Sequence, residues 1–303
     1  MKIKLIIAAA LALFVVSTQA QAKLKVFACE PEWKALAETI GGEQVKVTSA
    51  TTAFQDPHHI EARPSLIAKT RRADLLICTG SELEIGWLPL LLRQSGNPQI
   101  QAGKPGYFMA SEQVERIEVP EQMDRSMGDI HASGNPHVHL DPHRLLSIAE
   151  KLSQRLQLID QKNAPFYQQQ FANFRAKWLE SVQSWEKQSA TLAGKKVVVY
   201  HKNWSYLLAW LGIEAVADLE PKPGIPPTSS HLISLLQVAE SEQPEAILIA
   251  AYQGDKGARW LSEKSGIPML TLPFTVGGNN ASTDLFTLYE NTVSQLLNTL
   301  QDD

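Results

Sequence analysis

Lys196-Val197-Val198-Val199-Tyr200 runs straight into His201, then into residues 204–211, a glycine at 212, and residues 213–218. The first five residues are mostly β-branched and apolar, which reads as a buried strand. The next block has helical spacing and stops at Gly212. The third block reads as a strand again. The cadence continues downstream, with a Pro-rich loop at 221–227 and a helix that Ser229 or Ser230 would cap, running through Glu240. A strand at 246–250, a helix at 257–265, a strand at 268–272 and a closing helix at 284–300 follow. Strands alternating with helices predict a mostly parallel sheet covered on its faces.

The same alternation stands near the other end of the chain. Residues 24–29, 45–49 and 74–79 read as strands, and residues 33–40 and 64–70 as helices, the first stopping at Gly41-Gly42. Pro64 suits a first helical turn. Between the two α/β units lie helices predicted over 142–158 and 164–189. In the second, Tyr167, Phe171, Phe174, Trp178 and Val182 recur every three or four residues and mark a core-facing stripe. Residues 94–134 are rich in Gly, Pro and polar side chains and predict mostly loop, with room for a short hairpin. The expected fold is α/β: two lobes with mostly parallel sheets joined by a long helix. Its expected divisions are residues 1–22, 23–160, 161–190 and 191–303.

Residues 1–22 carry two lysines, an apolar run from Leu5 to Val16, and an Ala20-Gln21-Ala22 ending. That pattern predicts a secretory leader cut after Ala22. No cysteine follows the cut, so no lipid attachment is expected there. The chain holds 28 Lys and Arg against 32 Asp and Glu, net −4; removing Lys2 and Lys4 would leave 26 against 32, net −6. Without a basic block, nucleic acid is excluded as an expected partner. The only cysteines are Cys29 and Cys78. Two thiols cannot build a four-cysteine zinc site. In an oxidising compartment they can form a disulfide, and a Cys29–Cys78 bridge is expected.

The histidines are clustered. His58 and His59 follow Asp56-Pro57; His131, His137, His139 and His143 crowd one stretch; His201 ends a strand and His231 stands near a helix start. Neutral imidazole is a common ligand for Zn²⁺, and three or four satisfy a tetrahedral ion. Ligands of open α/β sheets bind beyond the carboxyl ends of strands. His201 meets that rule directly. His58 lies in the loop beyond the 45–49 strand, and His137 in the loop feeding the 142–158 helix. His131, His143 and His231 read as surface or hydrogen-bonded residues.

Three ordered motifs carry a resemblance. They are Asp56-Pro57-His58-His59-Ile60-Glu61-Ala62-Arg63-Pro64-Ser65, then Pro136-His137-Val138-His139-Leu140-Asp141-Pro142, then Tyr200-His201-Lys202-Asn203-Trp204-Ser205-Tyr206-Leu207. Together with a strand ending at Gly80 and followed by Glu84 and Trp87, the chain resembles the zinc and manganese solute-binding proteins of ABC transporters. The resemblance implies His58, His137 and His201 as metal ligands, and two lobes that close little on binding. It also implies a periplasmic protein, expected to be a monomer, that delivers its ion to a membrane permease.

Three departures from the family pattern stand out. His139 occupies a position where the family usually has Trp, and is a candidate additional ligand. The loop Phe274-Thr275-Val276-Gly277-Gly278-Asn279-Asn280 lacks the family's aspartate. Water or Asp284 is then the candidate fourth ligand. A long His-rich acidic loop is missing. Nitrogen-rich, carboxylate-poor ligation favours Zn²⁺, with Mn²⁺ second. The alternative is a zinc-dependent hydrolase using His137-x-His139-x-Asp141. That run resembles the metallo-β-lactamase-fold signature, but Pro142 interrupts it before His143, and long helices follow where that fold needs strands.

Overall fold

The computed structural model describes residues 22–121 and 131–300. The expected leader, residues 1–22, lies outside them except for Ala22. The first sheet contains β1 (Leu24–Ala28), β2 (Val45–Ser49), β3 (Leu75–Cys78) and β4 (Tyr107–Met109), in the order β2-β1-β3-β4. The second contains β5 (Lys196–Val199), β6 (Glu214–Asp218), β7 (Ala246–Ala250) and β8 (Met269–Leu272), in the order β6-β5-β7-β8. Every pairing is parallel. The two sheets thus repeat one topology, and the fold is the two-lobed α/β arrangement that the sequence predicts.

Parallel strands need crossover helices, which bury both sheet faces. β3 and β7 are buried along their whole length, whereas the edge strand β6 stays partly exposed. In the first lobe the crossovers are α1 (Pro31–Gly41), α2 (Pro64–Thr70) and α3 (Leu88–Ser95). In the second they are α6 (Ser205–Leu211), α7 (Ser229–Glu242) and α8 (Lys256–Ser265). Thr228, one residue before the serines favoured as caps, is the N-cap of α7 and accepts from the His231 amide. The described residues of the 94–134 segment are mostly loop, as expected, but carry β4 in place of a short hairpin. This three-residue edge strand pairs in parallel with β3, in register Leu76↔Tyr107 to Cys78↔Met109. Strands so short carry no period to read.

The lobes share one apolar core. α4 (Pro142–Ile159), α5 (Ala164–Ser189) and α9 (Leu285–Leu300) lie between them. α5 has 26 residues, about 39 Å at 1.5 Å per residue. Its stripe is buried as expected at Tyr167, Phe174, Trp178 and Val182, with Phe171 half-buried. Trp178 stacks on Phe174 and meets Trp185 and Tyr289 edge-on, while its indole N–H donates to the Pro142 carbonyl at 2.9 Å. One continuous cluster runs from Trp33 and Val26 through these rings to Val197 and Leu248.

Cys29 and Cys78 follow the paired residues Ala28 and Ile77 and form the expected disulfide, with Cα atoms 4.8 Å apart. The bond closes a loop with a sequence separation of 49, worth about 4 kcal/mol in the chain-entropy picture. Cys29→Ser with Cys78→Ser should therefore lower the midpoint of thermal or urea unfolding while leaving metal affinity within about twofold. A loss of affinity as large as the stability change would mean that the bridge shapes the site.

Candidate metal centre

His58, His137 and His201 come from three separate segments and converge. Their ring centroids form a near-equilateral triangle, with separations of 6.1 Å (His58–His137), 5.9 Å (His58–His201) and 6.0 Å (His137–His201). The His58 and His201 rings are held from behind. Asp56 accepts both the His58 amide (3.0 Å) and the His58 ring at Nδ1 (2.7 Å), which turns Nε2 inward. The buried Trp87 indole fixes this loop by donating to the Pro57 carbonyl at 2.8 Å. His201 lies two residues beyond the end of β5, and its Nδ1 meets Glu220 at 2.7 Å. Glu220 also accepts the Gly224 amide at 3.1 Å, tying the Pro-rich loop to the site. A carboxylate on the far nitrogen of an imidazole fixes its tautomer and strengthens it as a metal ligand.

His137 is held by its backbone instead. Asn135 Oδ1 accepts its amide at 3.0 Å, and the Asn135 amide group donates to the Lys202 carbonyl at 2.7 Å, so the second lobe positions the first lobe's histidine. The ring is 1% exposed and packs edge-on against Phe274. Neither of its nitrogens has a hydrogen-bond partner. A buried polar group without partners costs about 1–3 kcal/mol, which a bound cation would recover.

The electrostatics keep His137 and His131 neutral. Burial, and then the neighbouring His201, His58 and His131, hold His137 well below the ordinary imidazole range. Burial and the nearby His58 and His201 bring His131 down to about 4. Burial alone would raise Asp56, but the hydrogen bonds and charge of His58, with that of His59, together outweigh it and lower the carboxyl. Neutral imidazoles backed by carboxylates are what a cation requires. The His58 and His201 rings open onto a cleft that His59, Tyr200 and Tyr252 also line.

His131, which the sequence read as a surface residue, stands in this cluster. Its Nε2 is 3.4 Å from that of His58, and its ring centroid lies 5.4 Å from His58 and 6.3 Å from His137. A lone histidine in a Gly- and Pro-rich loop gives no periodic signal; its nearness to His137 in the chain was the only hint. The two candidate additional ligands are engaged elsewhere. His139 Nε2 bonds the Phe274 carbonyl at 3.0 Å, and its Nδ1 lies 3.4 Å from Glu32. Asp284 accepts the Thr287 amide at 2.8 Å and caps α9. His143 pairs with Glu186, and His231 with the Asp218 carbonyl, as surface or hydrogen-bonded residues should. Asp141 caps α4 and pairs with Arg144. The His-x-His-x-Asp run of the hydrolase alternative therefore never assembles.

Two parallel-sheet lobes with imidazoles converging beyond their strand ends define a metal-binding protein of the cleft type. The chain belongs to the ZnuA family, the periplasmic component A of the zinc-uptake complex, whose family model matches residues 26–302. Members of this family are substrate-binding components of ABC transporters and not enzymes. The chain is 25% identical over 259 residues to the manganese ABC transporter substrate-binding lipoprotein PsaA of Streptococcus pneumoniae, covering 84% of this chain and 80% of that one. It is 24% identical over 256 residues to the iron ABC transporter substrate-binding lipoprotein MtsA of Streptococcus pyogenes serotype M1, with the same coverage, 84% and 80%. In fold it is similar to a crystal structure of ZnuA, with a TM-score of 0.76, 18% identity, and coverage of 92% of this chain and all of that one.

Proposed function

We propose that this protein captures Zn²⁺ in the periplasm through His58, His137 and His201 and hands it to the membrane permease of an ABC importer, acting as a monomer. Residues 23–160 and 191–303 serve as the two lobes and residues 161–190 as the helix between them. The observation that carries the reading is the donor set. The convergent groups are imidazoles, and the nearest carboxylates, Asp56 and Glu220, are already bound to imidazole Nδ1 atoms. Relatives named for manganese and iron make the choice of ion a real question. A nitrogen donor set favours Zn²⁺, whereas Mn²⁺ prefers oxygen ligands and binds more weakly throughout the divalent series.

The test is metal analysis of protein isolated without added metal, followed by competition titration. Zinc should be the bound metal and should outcompete Mn²⁺ by about a hundredfold or more. Equal affinities, or manganese recovered with the native protein, would overturn the zinc assignment and leave Mn²⁺ as the cargo.

A further inference from the structure

His131 does more than line the pocket. On a tetrahedral zinc with Zn–N bonds of about 2.0–2.1 Å, neighbouring donor nitrogens lie about 3.3–3.4 Å apart. The Nε2 atoms of His58 and His131 are 3.4 Å apart. The other nitrogen of His58 is taken by Asp56, so Nε2 is its free donor. Donor atoms of His58, His131 and His137 all fall within 4.8 Å of one another. The segment that bears His131 is tethered to the first lobe. Ser133 gives its hydroxyl and amide to Glu82 at 2.6 and 3.1 Å.

The opposite wall offers no donor of its own. Phe274 fills that side with its ring, 5.4 Å from the His137 ring, and Asp284 is spent on capping α9. No carboxylate approaches the triangle from the 274–280 segment.

We propose that His131 is the fourth ligand, completing a four-imidazole zinc centre; this rests on the reading that His58, His137 and His201 hold the ion. Such a centre is closed. It leaves no position for water, as in structural rather than catalytic zinc sites. It offers only neutral nitrogens to the ion, while Asp56 and Glu220 supply negative charge one bond further out. His131 is thereby a specificity residue, because a fourth nitrogen in place of an oxygen penalises hard, oxygen-seeking cations.

Zinc K-edge X-ray absorption on the stoichiometrically loaded protein should fit four imidazole nitrogens at about 2.0 Å. His131→Ala should fit three nitrogens and one oxygen, weaken zinc binding by about tenfold or more, and narrow the Zn²⁺-over-Mn²⁺ preference. His131→Gln keeps a polar side chain of similar size, and both variants should melt like the wild type without metal. Three nitrogens and one oxygen in the wild type, with unchanged affinity in both His131 variants and a loss in His58→Ala, would overturn the proposal. The His58–His131 contact would then be a hydrogen bond between rings, and the three-histidine site would stand. If His58→Ala and His137→Ala also leave affinity unchanged, the whole site assignment falls with it.

Discussion

Replacing His137 by leucine should weaken zinc binding by on the order of a hundredfold or more and leave the metal-free protein at least as stable as before. The binding free energy of a zinc site built with folding is about 10–16 kcal/mol, so each of four ligands accounts for about 2.5–4 kcal/mol, or two to three powers of ten. His137 is the most buried of the triangle, and its ring stays in an apolar wall formed with Phe274. Its two nitrogens meet no partner without an ion. Leucine removes that unsatisfied pair and fills comparable space. Melting curves with and without zinc separate the two effects. Wild-type protein should gain about 4 kcal/mol at a thousandfold excess of zinc over Kd, and the variant should gain little at the same concentration. A metal-free variant that loses more than about 2 kcal/mol would make His137 a structural residue instead.

Zinc affinity should fall as pH drops below about 7, but less steeply than four freely titrating imidazoles would require. Protons compete with the metal only at donors that take them up in the metal-free protein. Burial first, then the neighbouring rings, keeps His137 neutral well below the ordinary range and His131 neutral down to about 4. Between pH 7 and 5 neither His137 nor His131 then contributes a competing proton. The limiting slope is about two powers of ten in affinity per pH unit. A slope of three or more would show that the buried rings also charge in this range. The same shifts set the stability of the metal-free form. A histidine held below its unfolded value of about 6.5 binds its proton in the unfolded chain first. Stability is therefore complete above about pH 6.5 and declines as pH falls toward 4, the window that His131 defines. Unfolding midpoints measured from pH 4 to 8 without metal would check the sign.

Much of this arrangement is legible in the residues because the strongest patterns belong to buried elements. The strand Lys196–Val199 and the α5 stripe are apolar for reasons of burial alone, and both stand where their periods put them. His201 follows from the strand-end rule without a structure. What the residues do not show depends partly on contacts distant in the chain and partly on local turns and caps. β4 is three residues long and exists because β3 offers an edge. His139 sits two residues from His137, and in an extended segment both would share a face. The backbone instead turns into a short 3₁₀ helix, Val138–Leu140, which sends the second ring toward Glu32 and Phe274. Asp284, three residues before Thr287, is a helix cap by spacing. His131 and His58 lie 73 residues apart, and nothing local announces their meeting.

The apolar core that both lobes share bears on how the cargo leaves. Prising the lobes apart would strip cover from Trp178, Trp185 and Tyr289, all buried where α5 meets α9. Rings of this kind bury ~150–250 Å² each, so their exposure costs several kcal/mol apiece at ~25 cal/mol per Å². That is comparable to the energy with which the ion itself is held, and a jaw-like opening wins nothing. The cheaper route runs through the two loops that carry Asp56 with His58 and Glu220 with Gly224, since displacing either carboxylate frees an imidazole to swing. Full and empty molecules would then share one outline, and a transporter would distinguish them by the set of a few side chains at the mouth of the cleft.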